Sequence, residues 1–343
     1  MTNVLDEQAL RDWLTEHIAG FQGPASISKF PGGQSNPTYR IDALSGSYVL
    51  RRKPFGKLLP SAHAIDREFR LLSALWPLGF PVPKPFALCE DLKVIGAVFY
   101  VMEMSAGQNH WDGGLPSLSG AQRRTTYLAM VDTLAELHRI DVPAAGLEDF
   151  GKSGNYFERQ VARWTRQYRQ SQTEHIEEIE RLIEWLPSTI PPQTRSSIVH
   201  GDYRIDNLIF DKDDKVRAVL DWELSTLGDP LADFSYFALQ WVLPFDGGAA
   251  LDGLDLSRLN IPTLEEIVAR YCSATDREGL PNLDWYFAYN LFRAAGIVQG
   301  IKKRIMDGTA SHAQAHEMAA RVQFYAQRAW VFALSAQSRD GSL

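Results

Sequence analysis

The sequence predicts an α+β protein of two lobes, a small lobe built on an antiparallel sheet followed by a larger, mainly helical one. Three observations predict it. Short β-prone segments broken by Gly, Ser, Asn and Pro fill roughly the first hundred residues. From Ser105 onward, apolar residues recur at helical spacing over long stretches. At 343 residues the chain is too long for one small core, so two units are expected, at 1–104 and 105–343.

In order, "MTNVLDEQALRDWLTEHIAGF" sets Leu10, Trp13, Leu14 and Ile18 on one face of an amphipathic helix. "SISKFPGGQSNPTYRIDALSGSYVLRRKPFG" then reads as an antiparallel meander. A helix is expected at about Ala64 to Trp76, with Ile65, Phe69, Leu72 and Trp76 on one face. "FPVPKPFALCEDLKVIGAVFYVMEM" reads as a Pro-rich linker and two further strands. Tyr127, Met130, Val131, Leu134 and Leu137 form a helix stripe, and Val161, Trp164 and Tyr168 begin another helix near 156–185. Further helices are expected over Leu231–Trp241 and near 263–272, 283–306 and 311–337. The chain shows no internal repeat and no low-complexity tract.

Composition excludes several classes. Hydrophobic residues make up 45% of the chain, which is globular, and the net charge is -7. The 35 basic residues are distributed rather than clustered, which argues against nucleic acid as a partner. The N-terminus carries acids and lacks the apolar core of a signal peptide. "VIGAVFYVM" is about half the length a membrane span requires. A soluble, cytoplasmic protein with no membrane partner is expected. Cys89 and Cys272 lie far apart, without neighbours at metal-ligand spacing, and read as reduced apolar fillers.

The stretch "SSIVHGDYRIDNLIFD" crowds polar chemistry between two apolar runs. His200, Asp202 and Asn207 have the spacing H-x-D-x-x-x-x-N, and Asp221 ends the later apolar run "RAVL". Singly, each would pass as a turn residue. Together they suit phosphoryl transfer: one carboxylate takes the proton of an attacking hydroxyl, while an Asn and a second Asp hold Mg²⁺ on the phosphates of ATP. A hairpin through "KDDK" would bring Asn207 and Asp221 to the same end. His200 is expected to hydrogen-bond the loop backbone. Arg204 and Asp206 read as local turn-formers, with substrate contact as the alternative. Asp229 and Asp233 read as a helix cap and a loop anchor. A metal-dependent hydrolase would need further His at ligand spacing, and none of the other seven stands so.

"VHGDYRIDNLIF" with "VLDWELSTLGDPLADFSYF" resembles the aminoglycoside phosphotransferase and choline kinase-like superfamily, which implies a two-lobed protein kinase-like fold. "GGQSNPTYRI", "YVLRRKPFGKLLPSAHAIDREFRLL" and "FYVMEM" resemble more narrowly the kinase-like N-terminal domain of acyl-CoA dehydrogenase family members 10 and 11. A free-standing version of that domain is expected here. The resemblance implies that Asp202 is the catalytic base and that Asn207 and Asp221 are Mg²⁺ ligands. "PGGQSN" would be the loop over the ATP phosphates, with Gly32, Gly33, Gln34, Ser35 and Asn36 supplying close backbone approach. Strand "YVLRR" would supply the basic residue for the α and β phosphates. The apolar alternation assigns that role to Arg51, paired with Glu68, although Lys is usual there; Lys53 is the fallback. Arg52 and Lys53 otherwise read as solvating charges at a strand edge. Adenine would meet the linker backbone near Glu103 and Met104.

Only a few residues separate Asp221 from Asp229, which leaves no room for a protein kinase activation segment and favours a small hydroxyl acceptor. Arg159, Arg163, Arg166 and Arg169 form a helix stripe that reads as a solvated face; at the cleft it would favour an anionic substrate. Arg293, inside an apolar helix, either pairs with a buried acid or reaches the site. The resemblance to acyl-CoA dehydrogenase partners points to a hydroxyacyl-CoA or hydroxy acid. The alternatives are an aminoglycoside or amino-alcohol such as choline, and a catalytically silent nucleotide-binding module.

Overall fold

Segments that alternate apolar and polar residues build the sheet, and the helices close its two faces. The computed structural model describes residues 5–30, 36–55, 64–308 and 315–340. The first part runs α1 (Glu7–His17), β1 (Ala25–Lys29), β2 (Thr38–Ala43), β3 (Gly46–Arg52), α2 (Ile65–Leu75), β4 (Pro85–Cys89), α3 (Leu92–Ile95) and β5 (Phe99–Glu103). The five strands pair antiparallel in the order β1-β2-β3-β5-β4: β1-β2-β3 form the expected meander, and β5 inserts between β3 and β4.

Period-two alternation then divides β3 between two faces. Tyr48 and Leu50 join Leu10, Trp13 and Leu14 of α1 in a satellite core, where Trp13 meets Phe99 edge-on at 4.7 Å. Val49 joins Ile65 and Leu72 of α2 in the main core. Because β3 is central, Arg52 is no strand-edge charge, contrary to the sequence reading. It is 5% exposed, its guanidinium lies 3.8 Å from the Phe55 ring centroid, and it donates to the Lys53 carbonyl. The expected face of α2 also shifts: Ile65, Glu68, Leu71, Leu72 and Leu75 are buried, whereas Trp76 is 43% exposed. The chain tightens there into a 3₁₀ turn, Trp76–Leu78, which takes Trp76 off the 3.6-residue stripe.

The larger part comprises α4 (Gly120–Arg139), α5 (Tyr156–Ser171), α6 (Glu177–Ser188), β6 (Ser197–Val199), β7 (Leu208–Phe210), β8 (Val216–Val219), β9 (Thr226–Gly228), α7 (Leu231–Ala238), α8 (Leu256–Leu259), α9 (Leu264–Ala274), α10 (Asp284–Met306), α11 (Ala315–Ala319) and α12 (Val322–Asp340). Ser119 and Gln122 open α4 with a reciprocal capping box, as Thr263 and Glu266 do for α9. The single helix expected near 156–185 is two. Glu177, Glu178 and Glu180 start the second, where acids favour a helix N-terminus. Of the helix expected over 311–337, residues 311–314 lie outside the described residues. The remainder breaks between α11 and α12, where the Arg321 N–H bonds back three residues to the Met318 carbonyl.

The helical core is strongly aromatic, with Phe157 of α5 in edge contact with Trp285, Tyr286 and Tyr289 of α10. Among the described residues, no helix is long and apolar enough to cross a membrane. Both cysteines are buried and outside any disulfide.

Candidate functional site

The polar stretch between β6 and β7 is held by its backbone. Gly201 has φ 86, and a Cβ there would lie 2.9 Å from the Leu224 carbonyl oxygen, so the turn admits only glycine. Asp233, on α7, accepts the His200 N–H at 2.5 Å and the Gly201 N–H at 2.8 Å, which makes it the loop anchor the sequence suggested. Asp229 accepts the Leu231 N–H at 2.8 Å where α7 begins. His200 is fully buried; its Nδ1 accepts the Asp202 N–H at 3.1 Å and its Nε2 donates to the Leu220 carbonyl at 2.8 Å. It therefore ties the polar turn to the end of β8.

Asp202 carries side-chain partners on both oxygens. The Tyr236 hydroxyl donates to Oδ1 at 2.7 Å, and Asn207 Nδ2 donates to Oδ2 at 3.1 Å. The Arg204 guanidinium lies 3.2 Å from the same Oδ1. Burial would lift this carboxyl, but Arg204, Tyr236, His200 and Arg293 outweigh it and hold it below the ordinary aspartate value.

The antiparallel hairpin β7–β8 pairs Leu208 with Val219, and the Leu220 N–H bonds the Asn207 carbonyl at 2.8 Å. Asn207 and Asp221 therefore sit at one end of the hairpin, as the polar turn implied. Asp221 has φ 63, the left-handed region, which for an aspartate stores strain of a kind common at functional sites. Across from it, Arg51 Nη2 reaches Asp221 Oδ1 at 2.8 Å and Glu223 at 3.4 Å, while Nη1 lies 3.2 Å from Glu68. Burial, with Asp221 and Glu223 nearby, pushes the Glu68 carboxyl up to about 7 against the pull of Arg51. Lys53 turns away and pairs with Asp66 at 2.8 Å.

Arg51, Glu68, Asn207 and Asp221 line a cleft of about 330 Å³ that also includes Glu103 and Met104. Val49 and Ile209 face it from β3 and β7. The Glu103 N–H is used by the Lys84 carbonyl at 2.8 Å, and the Met104 N–H by the Ser47 carbonyl at 3.4 Å. The linker therefore has carbonyl oxygens rather than these amides to offer a ligand. Gly32, Gly33, Gln34 and Ser35 lie outside the described residues. Asn36 is buried and donates to Glu223 at 3.4 Å.

The donor set fits a hard, oxygen-seeking cation. Asn207 Nδ2 is occupied by the Asp202 carbonyl and Oδ2, so its amide oxygen is the atom that could serve a cation. Glu68, Asp221 and Glu223 place three carboxylates on one guanidinium, an excess of negative charge that a divalent ion would offset.

Arg204 pairs with Asp206 at 2.9 Å inside the turn, in keeping with the turn-former reading. The arginine stripe does not line the cleft. Arg159 holds the Lys152 carbonyl at 2.6 Å, Arg169 pairs with Glu180 at 2.5 Å, and Arg166 borders a separate cavity of about 690 Å³ between α5 and α6. Arg293 does reach the polar turn, donating to the Gly201 carbonyl at 2.6 Å, and its partner is that carbonyl rather than an acid. Sequence reasoning missed Tyr236 and Glu223. Tyr236 stands three residues after Asp233, on the same face of one helix, which was the available signal.

The chain is similar to known proteins over most of its length. The model of the phosphotransferase enzyme family matches residues 26–277. Mouse acyl-CoA dehydrogenase family member 10 is 45% identical over 330 residues, covering 95% of this chain, which itself spans 31% of that protein's length. A solved structure from Ralstonia eutropha, provisionally named an aminoglycoside phosphotransferase, is 44% identical with a TM-score of 0.89, over 97% of this chain and 99% of its own. Choline kinase from Cryptosporidium parvum, 13% identical with a TM-score of 0.56 over 97% of this chain and 96% of its own, shows the same fold. A family model covering most of the chain and a near full-length relative of shared architecture lead to one conclusion: this chain belongs to the phosphotransferase enzyme family.

Proposed function

We propose that this chain is a kinase that transfers the γ-phosphoryl group of ATP to a hydroxyl of a small molecule, with Mg²⁺ as cofactor. The observation that carries the reading is that Asn207 and Asp221 line one cleft with the Arg51–Glu68 pair, while Asn207 holds the Asp202 carboxylate beside that cleft at 3.1 Å. Asp202, kept ionised, orients and deprotonates the acceptor hydroxyl. Arg51 sets a permanent positive charge beside the phosphates, and Glu68 fixes its direction. Adenine would lie between Val49 and Ile209, against the carbonyls near Glu103 and Met104. Mg²⁺, held by the Asn207 amide oxygen and Asp221, would neutralise charge on the phosphates. Positioning and electrostatics then supply most of the rate. A cytoplasmic setting belongs to the same reading and is supported by two cysteines outside any disulfide.

A further cavity, about 520 Å³, supports a choice of acceptor. Arg204 and Tyr236, the two groups on Asp202 Oδ1, stand at one side of it, and Leu239, Leu243 and Leu291 supply apolar walls. Its acids, Asp246 and Glu317, both lie against Arg321, at 2.7 and 3.8 Å. That balance suits an acyl chain bearing a hydroxyl better than a polycationic antibiotic, which needs unpaired acids. The kinship with an acyl-CoA dehydrogenase family member supports a hydroxyacyl-CoA or hydroxy acid.

A screen of hydroxyacyl-CoAs, hydroxy acids, choline and aminoglycosides for ADP release from Mg-ATP tests this. Asp202→Ala and Asp221→Ala are each expected to lower the rate by at least about a hundredfold. Turnover with the cationic compounds alone would overturn the acceptor assignment. An Asp221→Ala protein that binds and turns over Mg-ATP like the parent would overturn the metal assignment.

A further inference from the structure

Arg293 is a buried cation whose one acid, Asp202, acts on it without ion-pair contact. The residue is 9% exposed, and among the described residues no carboxylate pairs with it. Its Nη2 donates to the Gly201 carbonyl at 2.6 Å, and its guanidinium carbon lies 5.6 Å from the Trp164 ring centroid and 5.2 Å from that of Tyr236. Burying a charge with no carboxylate in direct contact is costly, so packing alone would favour an apolar side chain here. Something other than stability is needed to account for the arginine.

Its contacts supply the account. The Gly201 residue is gripped on both sides, its N–H by Asp233 at 2.8 Å and its carbonyl by Arg293. The next residue is Asp202, whose Oδ1 takes the Tyr236 hydroxyl at 2.7 Å. One helix, α7, thus fixes both the turn's backbone, through Asp233, and the Asp202 side chain, through Tyr236. Helix α10 adds Arg293, which holds the Gly201 carbonyl and lies against the Tyr236 ring. Asn290, one turn before Arg293, donates to Ser235 at 2.9 Å and locks α10 to α7.

We propose that Arg293 and Tyr236 are positioning residues that together brace Asp202, Arg293 through the Gly201 carbonyl and the Tyr236 ring, Tyr236 through the Asp202 carboxylate. The inference rests on Asp202 being the group that receives the acceptor's proton. Tyr236 also borders the 520 Å³ cavity, so the brace ends where an acceptor would enter.

Two measurements on the full chain test it. Hydrogen exchange, read without ligand, is expected to quicken at least tenfold at the amides of Gly201 and Asp202 in Arg293→Met, with global unfolding unchanged, and less than threefold in Arg293→Lys. ADP release from Mg-ATP, with water or a hydroxyacyl-CoA taking the phosphoryl group, is expected to fall at least tenfold in kcat in Tyr236→Phe and Arg293→Met, with the KM for Mg-ATP unchanged. Arg293→Lys should recover much of that loss, because the donor to the carbonyl is restored. If either exchange or kcat in Arg293→Met matches the parent, or if Lys rescues nothing, the brace is wrong; should Arg293→Met fail to fold, Tyr236→Phe and Arg293→Lys decide. Asp202→Ala is run alongside. If it releases ADP as fast as the parent, or the parent releases none, the reading of Asp202 fails and the brace with it. A silent Asp202→Ala beside fully active brace variants sinks the brace alone.

Discussion

Glu68 is a buried side chain whose charge works against stability. It is 3% exposed, and one oxygen lies 3.2 Å from Arg51. Burial lifts it from 4.5 to about 7, so the folded chain binds a proton there that the unfolded chain releases. The stabilising effect of that proton is complete below about 4.5 and is lost as pH rises through about 7. Glu68→Gln is neutral at every pH and lacks that slope. Relative to the parent, it should therefore gain stability between pH 5 and 8, by up to about 3 kcal/mol at one pKa unit per 1.4 kcal/mol. Urea unfolding across that range measures it, and a constant difference between the two proteins would show that Glu68 keeps an ordinary pKa. The same substitution removes the negative partner that directs Arg51, so ADP release should fall while stability at high pH rises.

At the scale of elements, the site is a matter of strand ends and of one short strand that closes it. β9 pairs with β6 in the register Ser197↔Gly228, so the chain returns from Asp221 to the core within a few residues and enters α7 directly. That is why no activation segment fits. Gly228 is the close-approach point: a Cβ there would overlap the Tyr156 ring, itself packed edge-on against Phe157. Gly228→Ala is expected to cost about 1–3 kcal/mol by overpacking and to loosen the turn that Asp229 begins. Thermal unfolding and ADP release report the two effects, and a parent-like Tm would mean that β9 has slack the packing does not show. Much of this was legible beforehand. The spacing of His200, Asp202 and Asn207, the polar turn between two apolar runs, and the alternation that turns Arg51 with Val49 are all local patterns, and the structure keeps each. What was not legible depended on tertiary partners or on tightened turns. Trp76 leaves its stripe because a 3₁₀ turn rotates it, the break between α5 and α6 carries no proline or glycine, and Tyr236 reads as one more aromatic in an apolar helix until Asp202 is placed beside it.

The whole molecule has two lobes in outline, yet its main core does not stop between them. Val49, Ile65, Leu72, Tyr100 and Met102 from the sheet side belong to one cluster with Tyr203, Leu208, Val219 and Trp222 from the helical side. Among the described residues, only the cluster around Trp13, Leu50 and Phe99, on the far face of the sheet, is separate. Arg51 adds ion pairs across the same boundary, to Asp221 and Glu223. Apolar burial contributes roughly 25 cal/mol per Å² removed from water, and in a shared core neither side can lose its partner without exposing part of its own surface. The chain should therefore unfold as one cooperative unit, not as a sheet lobe that melts before a helical one. Calorimetry checks this directly: a single transition whose van't Hoff and calorimetric enthalpies agree is the expected result. Two resolved transitions would mean that the contacts around Val49 and Trp222 are too weak to couple the lobes. In that case the orientation of Arg51 towards Asp221 would depend on bound ligand instead of the core, and Trp13→Ala would melt the sheet alone. With a shared core, Trp13→Ala lowers the one Tm of the whole chain.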